Sequence, residues 1–132
     1  MLEPIVYIDH SDIREGKLQE VMARVQELVE FVNAQEPQLL AYGVFIDEGG
    51  GGMTVVAIHP DSSSLELHME IGRPAFRRFI ELIDLRTIEV YGRPDDKVLK
   101  QLQQKVEMLG GNGSVIVHQQ HAGFTRFVSA VI

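Results

Sequence analysis

The stretch that most constrains this chain runs from Leu39 to Pro60, LLAYGVFIDEGGGGMTVVAIHP. It reads as two strands folded back on each other across a run of glycines. Successive side chains of a strand point to opposite faces, so a sheet with one wet face alternates apolar and polar residues. Here the alternation is missing. Leu40, Tyr42, Val44 and Ile46 share one face, yet Ala41, Gly43 and Phe45 on the other are no wetter. The returning strand repeats this, with Val55 and Ala57 set against Val56 and Ile58. A ribbon that is apolar on both sides must be covered on both sides. The chain's own helices can cover one, and a second copy of the chain is expected on the other, which makes a homodimer.

The remaining composition narrows the class. At 132 residues, 45% hydrophobic and 23% charged, residues 1–132 read as one globular domain with a real core. A net charge of −7 argues against nucleic acid or an anionic membrane as partner, since both require a basic footprint. There is no cysteine, which removes disulfides and thiolate chemistry and fits a reducing cytoplasm. The opening MLEPIVYIDH carries acids and no basic region, unlike a secretory signal. No stretch approaches the about 18 consecutive apolar residues of a membrane span.

Taken in order, Pro4 to His10 reads as a strand and Ser11 to Gly16 as a turn. Leu18, Val21, Met22, Val25, Leu28, Val29 and Val32 then keep helical spacing until Pro37 ends the helix. After the hairpin, whose tip Asp47 to Gly52 reads as loose, Asp61 or Ser62 caps a second helix, with Ser63 and Glu66 spaced for a capping box. Leu65, His68 and Met69 share its inner face. Gly72 and Pro74 are expected to break it, and a further helical segment carries Phe76, Phe79, Ile80 and Ile83 inward. Leu85 to Tyr91 reads as a strand. Asp95 opens a third helix with Val98, Leu99, Leu102, Val106 and Leu109 inward, stopped by Gly110 and Gly111. Ser114 to Gln120 and Phe124 to Ile132 read as strands or extended chain. The order is α+β and ferredoxin-like, β-α-β-β-α-β with an antiparallel sheet, plus a C-terminal αβ extension over residues 95–132.

With these elements placed, residues from Ile5 to Gly92 resemble the antibiotic biosynthesis monooxygenase-like domain of the dimeric α+β barrel group. The matching pieces are Arg14-Glu15-Gly16-Lys17, Glu36-Pro37, Leu40-Ala41-Tyr42-Gly43-Val44, Asp61 through His68, and Pro74-Ala75-Phe76. They cover about two thirds of the chain and agree in order and spacing. The resemblance implies a homodimer with a pocket in each subunit between sheet and helices. Some members of that family oxidise quinols and polycyclic phenols without a cofactor, and others degrade haem. Many relatives carry tryptophan at the end of the third strand, where this chain has His59. Haem-degrading relatives carry an iron-binding histidine four positions past the phenylalanine, where this chain has Ile80, so haem chemistry does not carry over.

His68 is the leading candidate for chemistry, since it faces inward and relatives often have histidine there. A neutral imidazole in an apolar pocket can take a phenolic proton at neutral pH, and the electron-rich anion can then reduce dioxygen without metal or flavin. The same residue also fits a structural role, bonding a carbonyl and pinning the helix. Tyr42 can orient a phenol or quinone oxygen or simply pack, and His59, Phe76 and Tyr91 complete the candidate substrate-binding set. Arg78 and Arg126 are weaker candidates for an anionic group. His118 and His121 point to opposite faces of an extended segment with no nearby carboxylate, so no metal site is expected. The glycines Gly49 to Gly52 join two strands and are no phosphate cradle. The expected function is a cofactor-independent monooxygenase of a small aromatic or quinol-like substrate. The alternative is a non-catalytic module of the same dimeric fold that binds a small apolar molecule or serves assembly.

Overall fold

A computed structural model describes residues 3–127. Strand β1 (Ile5–Ile13) leads to helix α1 (Leu18–Gln35) and the hairpin β2 (Ala41–Ile46) and β3 (Gly52–His59). Helix α2 (Ser62–Phe76), a single 3₁₀ turn (Arg77–Phe79), β4 (Ile83–Tyr91), α3 (Asp96–Met108) and β5 (Ser114–His118) follow. The five strands form one sheet in the order β2-β3-β1-β4-β5. The first four pair antiparallel in the ferredoxin-like order, while β5 runs parallel to β4. The sheet is therefore mixed, because β4, α3 and β5 make a crossover rather than a hairpin. Of the expected C-terminal strand, Phe124 to Phe127 contain no strand, and 128–132 lie outside the described residues.

Period two assigns the faces. Ile5, Tyr7, Asp9, Ser11 and Ile13 of β1 are all buried under the helices, with Met53, Val55, Ala57 and His59 of β3 beside them. That same period carries β1 through Ser11 to Ile13, where a turn was expected. The helices contribute Val21, Leu28 and Val32, then Leu65, Met69 and Phe76, then Val98, Leu102, Val106 and Leu109 to this core. Met22 and Leu99 stay outside it, on the flanks of their stripes.

Asp61 caps α2 by accepting a hydrogen bond from the Ser64 amide at 2.9 Å, so the capping residue precedes the Ser63–Glu66 pair. The expected break at Gly72 is absent, and α2 continues through Pro74 to Phe76. The chain turns after Phe76 instead, burying Phe79 and leaving Ile80 exposed. Gly110 and Gly111 stop α3 in the left-handed region, with φ of 116° and 77°. The glycine tip of the hairpin closes on itself through Asp47 N–H to the Gly52 carbonyl and Gly50 N–H to the Asp47 carbonyl.

Among the described residues, the other sheet face carries no helix. Phe45 is 59% exposed there, and Val6, Ile8, Val56 and Ile58 are only partly covered. Towards β5 this face turns polar. Glu89 takes Tyr91 O–H at 3.2 Å and lies 3.0 Å from Nε2 of His118, whose ring stacks on Tyr91. A carboxylate does stand beside His118, but His121 is exposed and apart from it, and no cluster of three or more metal-ligating side chains forms among the described residues.

Candidate functional site

Two buried polar clusters face each other inside the helix-covered half. The first joins α1 to α2. Glu36, just past the end of α1, places its carboxylate 2.8 Å from Nδ1 of His68, with both side chains sealed from solvent. Nδ1–H donating to that carboxylate leaves Nε2 with the ring's lone pair. His59 lies beside it, ring centroids 5.5 Å apart, with Nδ1 2.7 Å from the Ser64 hydroxyl. Ser64 Oγ also accepts from Gln38 at 3.3 Å. Burial, then the neighbouring His68, pushes the His59 pKa down to about 3, so this ring is neutral. Its Nε2 has no partner.

The second cluster joins β1 to α3. Lys105 Nζ donates to Tyr7 Oη at 2.8 Å and to Asp9 Oδ2 at 3.1 Å, while Tyr7 O–H donates to the same carboxylate oxygen at 2.6 Å. All three residues are buried. Burial first, then the Asp9 charge, raises the Tyr7 pKa, so the phenol keeps its proton.

Phe76 and Tyr42 stand between the clusters. The Phe76 ring is 5.5 Å from the His68 ring and 4.2 Å from Lys105 Nζ. The Tyr42 ring is 5.4 Å from His68. Burial, followed by the charges of Asp9 and Glu36, raises the Tyr42 pKa, so it too remains a donor. Beneath these two rings, Asp9, Ser11 and Lys105 line an otherwise apolar cavity of about 20 Å³, room for one water molecule. Tyr42 is also a wall of a groove of about 330 Å³ between α1 and β2, lined by Val32, Leu39 and Leu40. Tyr42 thus lines both the outer groove and the inner cavity.

Four of the five candidate residues named above gather here. His68, Tyr42, His59 and Phe76 form one ring cluster, in which His59 is fully buried. Tyr91 lies on the opposite sheet face, half-exposed against His118. Arg78 is exposed and pairs with Glu27 at 3.5 Å, and Arg126 lies over the Phe124 ring. Sequence reasoning missed Glu36, Asp9 and Lys105. The signal for two of them was present. Asp9 alternates with Ile5 and Tyr7, and Lys105 continues the stripe of Val98, Leu102 and Leu109 at helical spacing.

Burying the Lys105–Asp9 ion pair and the Glu36–His68 hydrogen bond in one small core costs more than apolar packing would, so such groups point to function more than to stability. Together they offer a carboxylate-oriented imidazole, a buried cation and two phenolic donors around an apolar interior. That set can move a proton and stabilise the anion it leaves.

No family model and no curated protein matches the sequence. Solved structures do. MupZ from Pseudomonas fluorescens superposes with a TM-score of 0.71 at 18% identity, over 93% of this chain and 94% of that one. A conserved protein from Methanosarcina mazei gives 0.60 at 22% identity, over 70% of this chain and 94% of its own. An antibiotic biosynthesis monooxygenase gives 0.57 at 23% identity, over 69% and 97%. The shorter matches correspond in extent to the ferredoxin-like unit, whereas the likeness to MupZ takes in much of the C-terminal extension as well. The chain has the fold of the antibiotic biosynthesis monooxygenase-like domain.

Proposed function

We propose that this protein is a cofactor-independent monooxygenase of a small aromatic or quinol-like substrate, working as a homodimer. The observation that carries the reading is the buried Glu36–His68 pair beside Tyr42, which lines both the outer groove and the inner cavity. Substrate enters from the groove as Tyr42 swings aside. His68 Nε2 takes the phenolic proton, and Glu36 holds the imidazole and stabilises its charged form. The phenolate passes one electron to dioxygen, and the radical pair recombines as a carbon-bound peroxide. The His68 imidazolium returns its proton to the peroxide, and loss of water with the hydrogen of the same ring carbon leaves a quinone carbonyl. One oxygen atom stays in the product and the other departs as water.

The homodimer reading rests on the helix-free sheet face, whose apolar half matches what a second copy would cover in a dimeric α+β barrel. The test of function is oxygen uptake with a panel of hydroquinones and anthrones. A general base contributes about 10²- to 10⁴-fold, so His68→Ala loses about 3–5 kcal/mol of transition-state stabilisation. No uptake above buffer across the panel defeats the proposal.

The second reading, a non-catalytic binding or assembly module, is favoured by the size of the inner cavity, which in this closed form admits no ring. Native mass spectrometry separates the two: a co-purifying small molecule that is never turned over supports the binding module.

A further inference from the structure

Lys105 belongs to the C-terminal helix, outside the region that carries the family resemblance, yet it reaches the centre of the core. Two of its N–H groups are used by Tyr7 and Asp9, and the third is left to the face of Phe76, a weak acceptor. Ser11, on the same cavity wall, is 4% exposed, and its hydroxyl has no hydrogen-bond partner among the described residues. A buried hydroxyl is favoured when it has a partner, so an acceptor atom of a ligand placed in this cavity would be held there. The rest of the cavity wall is apolar, with Met53, Val55, Phe79 and Leu85 among it.

We propose that Lys105 and Ser11 form an anion-binding subsite, built by the C-terminal extension, for a ring-conjugated oxyanion such as a phenolate or enolate. The ligand oxygen takes the third N–H of Lys105 and the Ser11 hydroxyl proton, while its carbon body displaces Phe76 or Tyr42 toward the groove. Asp9 and Tyr7 hold the Lys105 amino group in place. This assignment rests on the interior site described above, and gives the extension the task of stabilising the anion that His68 creates.

The experiment titrates 4-nitrophenol optically in the presence of the intact protein, because its phenolate absorbs apart from the neutral phenol. The wild-type protein is expected to lower the apparent pKa of the bound probe by about one to three pH units, the usual effect of a nearby opposite charge. Lys105→Met loses that preference. The double variant Asp9→Leu/Lys105→Met removes both charges together, so it folds without a stranded carboxylate and loses the preference as well. His68→Ala keeps it. No probe binding by the wild type, no preference for the phenolate, or a preference that survives in the double variant overturns the assignment. Loss of the preference in His68→Ala does so too, by transferring the effect to the histidine. A wild type that prefers the phenolate but consumes no oxygen with any quinol sinks the oxygenase reading and leaves this subsite standing.

Discussion

Glu36 and His68 come from two helices 32 positions apart and meet at 2.8 Å with no solvent between them. Glu36 stands where α1 has just ended, with its own amide still bonded to the Val32 carbonyl. The carboxylate is therefore fixed by the helix end, and the imidazole is fixed by the carboxylate. Glu36→Ala leaves the buried Nδ1–H of His68 without its acceptor and is expected to cost about 1–3 kcal/mol of stability. Glu36→Gln keeps the shape and one acceptor, and its loss is expected to be smaller. Urea unfolding of the three proteins checks the order.

Phe76 rests on Gly72, one turn earlier on α2. A Cβ at position 72 would lie 2.5 Å from the tip of the Phe76 ring, so the ring has room only because the residue is glycine. Gly72→Ala gains about 1 kcal/mol of helix propensity but forces the ring aside, an overpacking cost of about 1–3 kcal/mol. The net expectation is a modest destabilisation, relieved in Gly72→Ala/Phe76→Leu. A double-mutant cycle by thermal or urea unfolding reads the coupling.

His59 gives a pH dependence with a definite sign. Its folded-state pKa is about 3, and an unfolded histidine titrates near the ordinary value of 6.5. Between those values the unfolded chain binds a proton that the native chain refuses. Stability therefore falls as pH drops from about 6.5 toward 3, with a slope from this residue approaching about 1.4 kcal/mol per pH unit. His59→Gln should flatten the profile by that amount, measured by urea unfolding at several pH values.

The helix-free sheet face predicts assembly. Light scattering should give twice the subunit mass of 14.8 kDa at micromolar concentration. Phe45→Glu places a charge in the exposed apolar half of that face and should yield folded monomer, seen as a halved mass with unchanged circular dichroism.

The architecture was largely legible because it is written in periods. Helical spacing located α1 and α3, and capping chemistry located the start of α2. The failures have physical causes. Ser11 to Ile13 reads as a turn by residue type, but its alternation continues β1, and the buried face decides. Pro74, two positions after Gly72, reads as a break, yet the helix carries it in its last turn. The site was legible at His68, Tyr42 and Phe76, since apolar neighbours on one stripe show where a side chain points. Glu36, Asp9 and Lys105 escaped because charged residues are read as solvated unless partnered, and the partners that join them to other elements lie 32 to 98 positions away. Only the fold brings them together.

The most direct test of the interior oxygenase site is the fate of labelled dioxygen. With ¹⁸O₂ and a quinol that the protein consumes, mass spectrometry should find one labelled atom per product molecule and the other in water, with incorporation lost in His68→Ala. Product oxygen drawn from water, or a rate and label unchanged by the substitution, would contradict it.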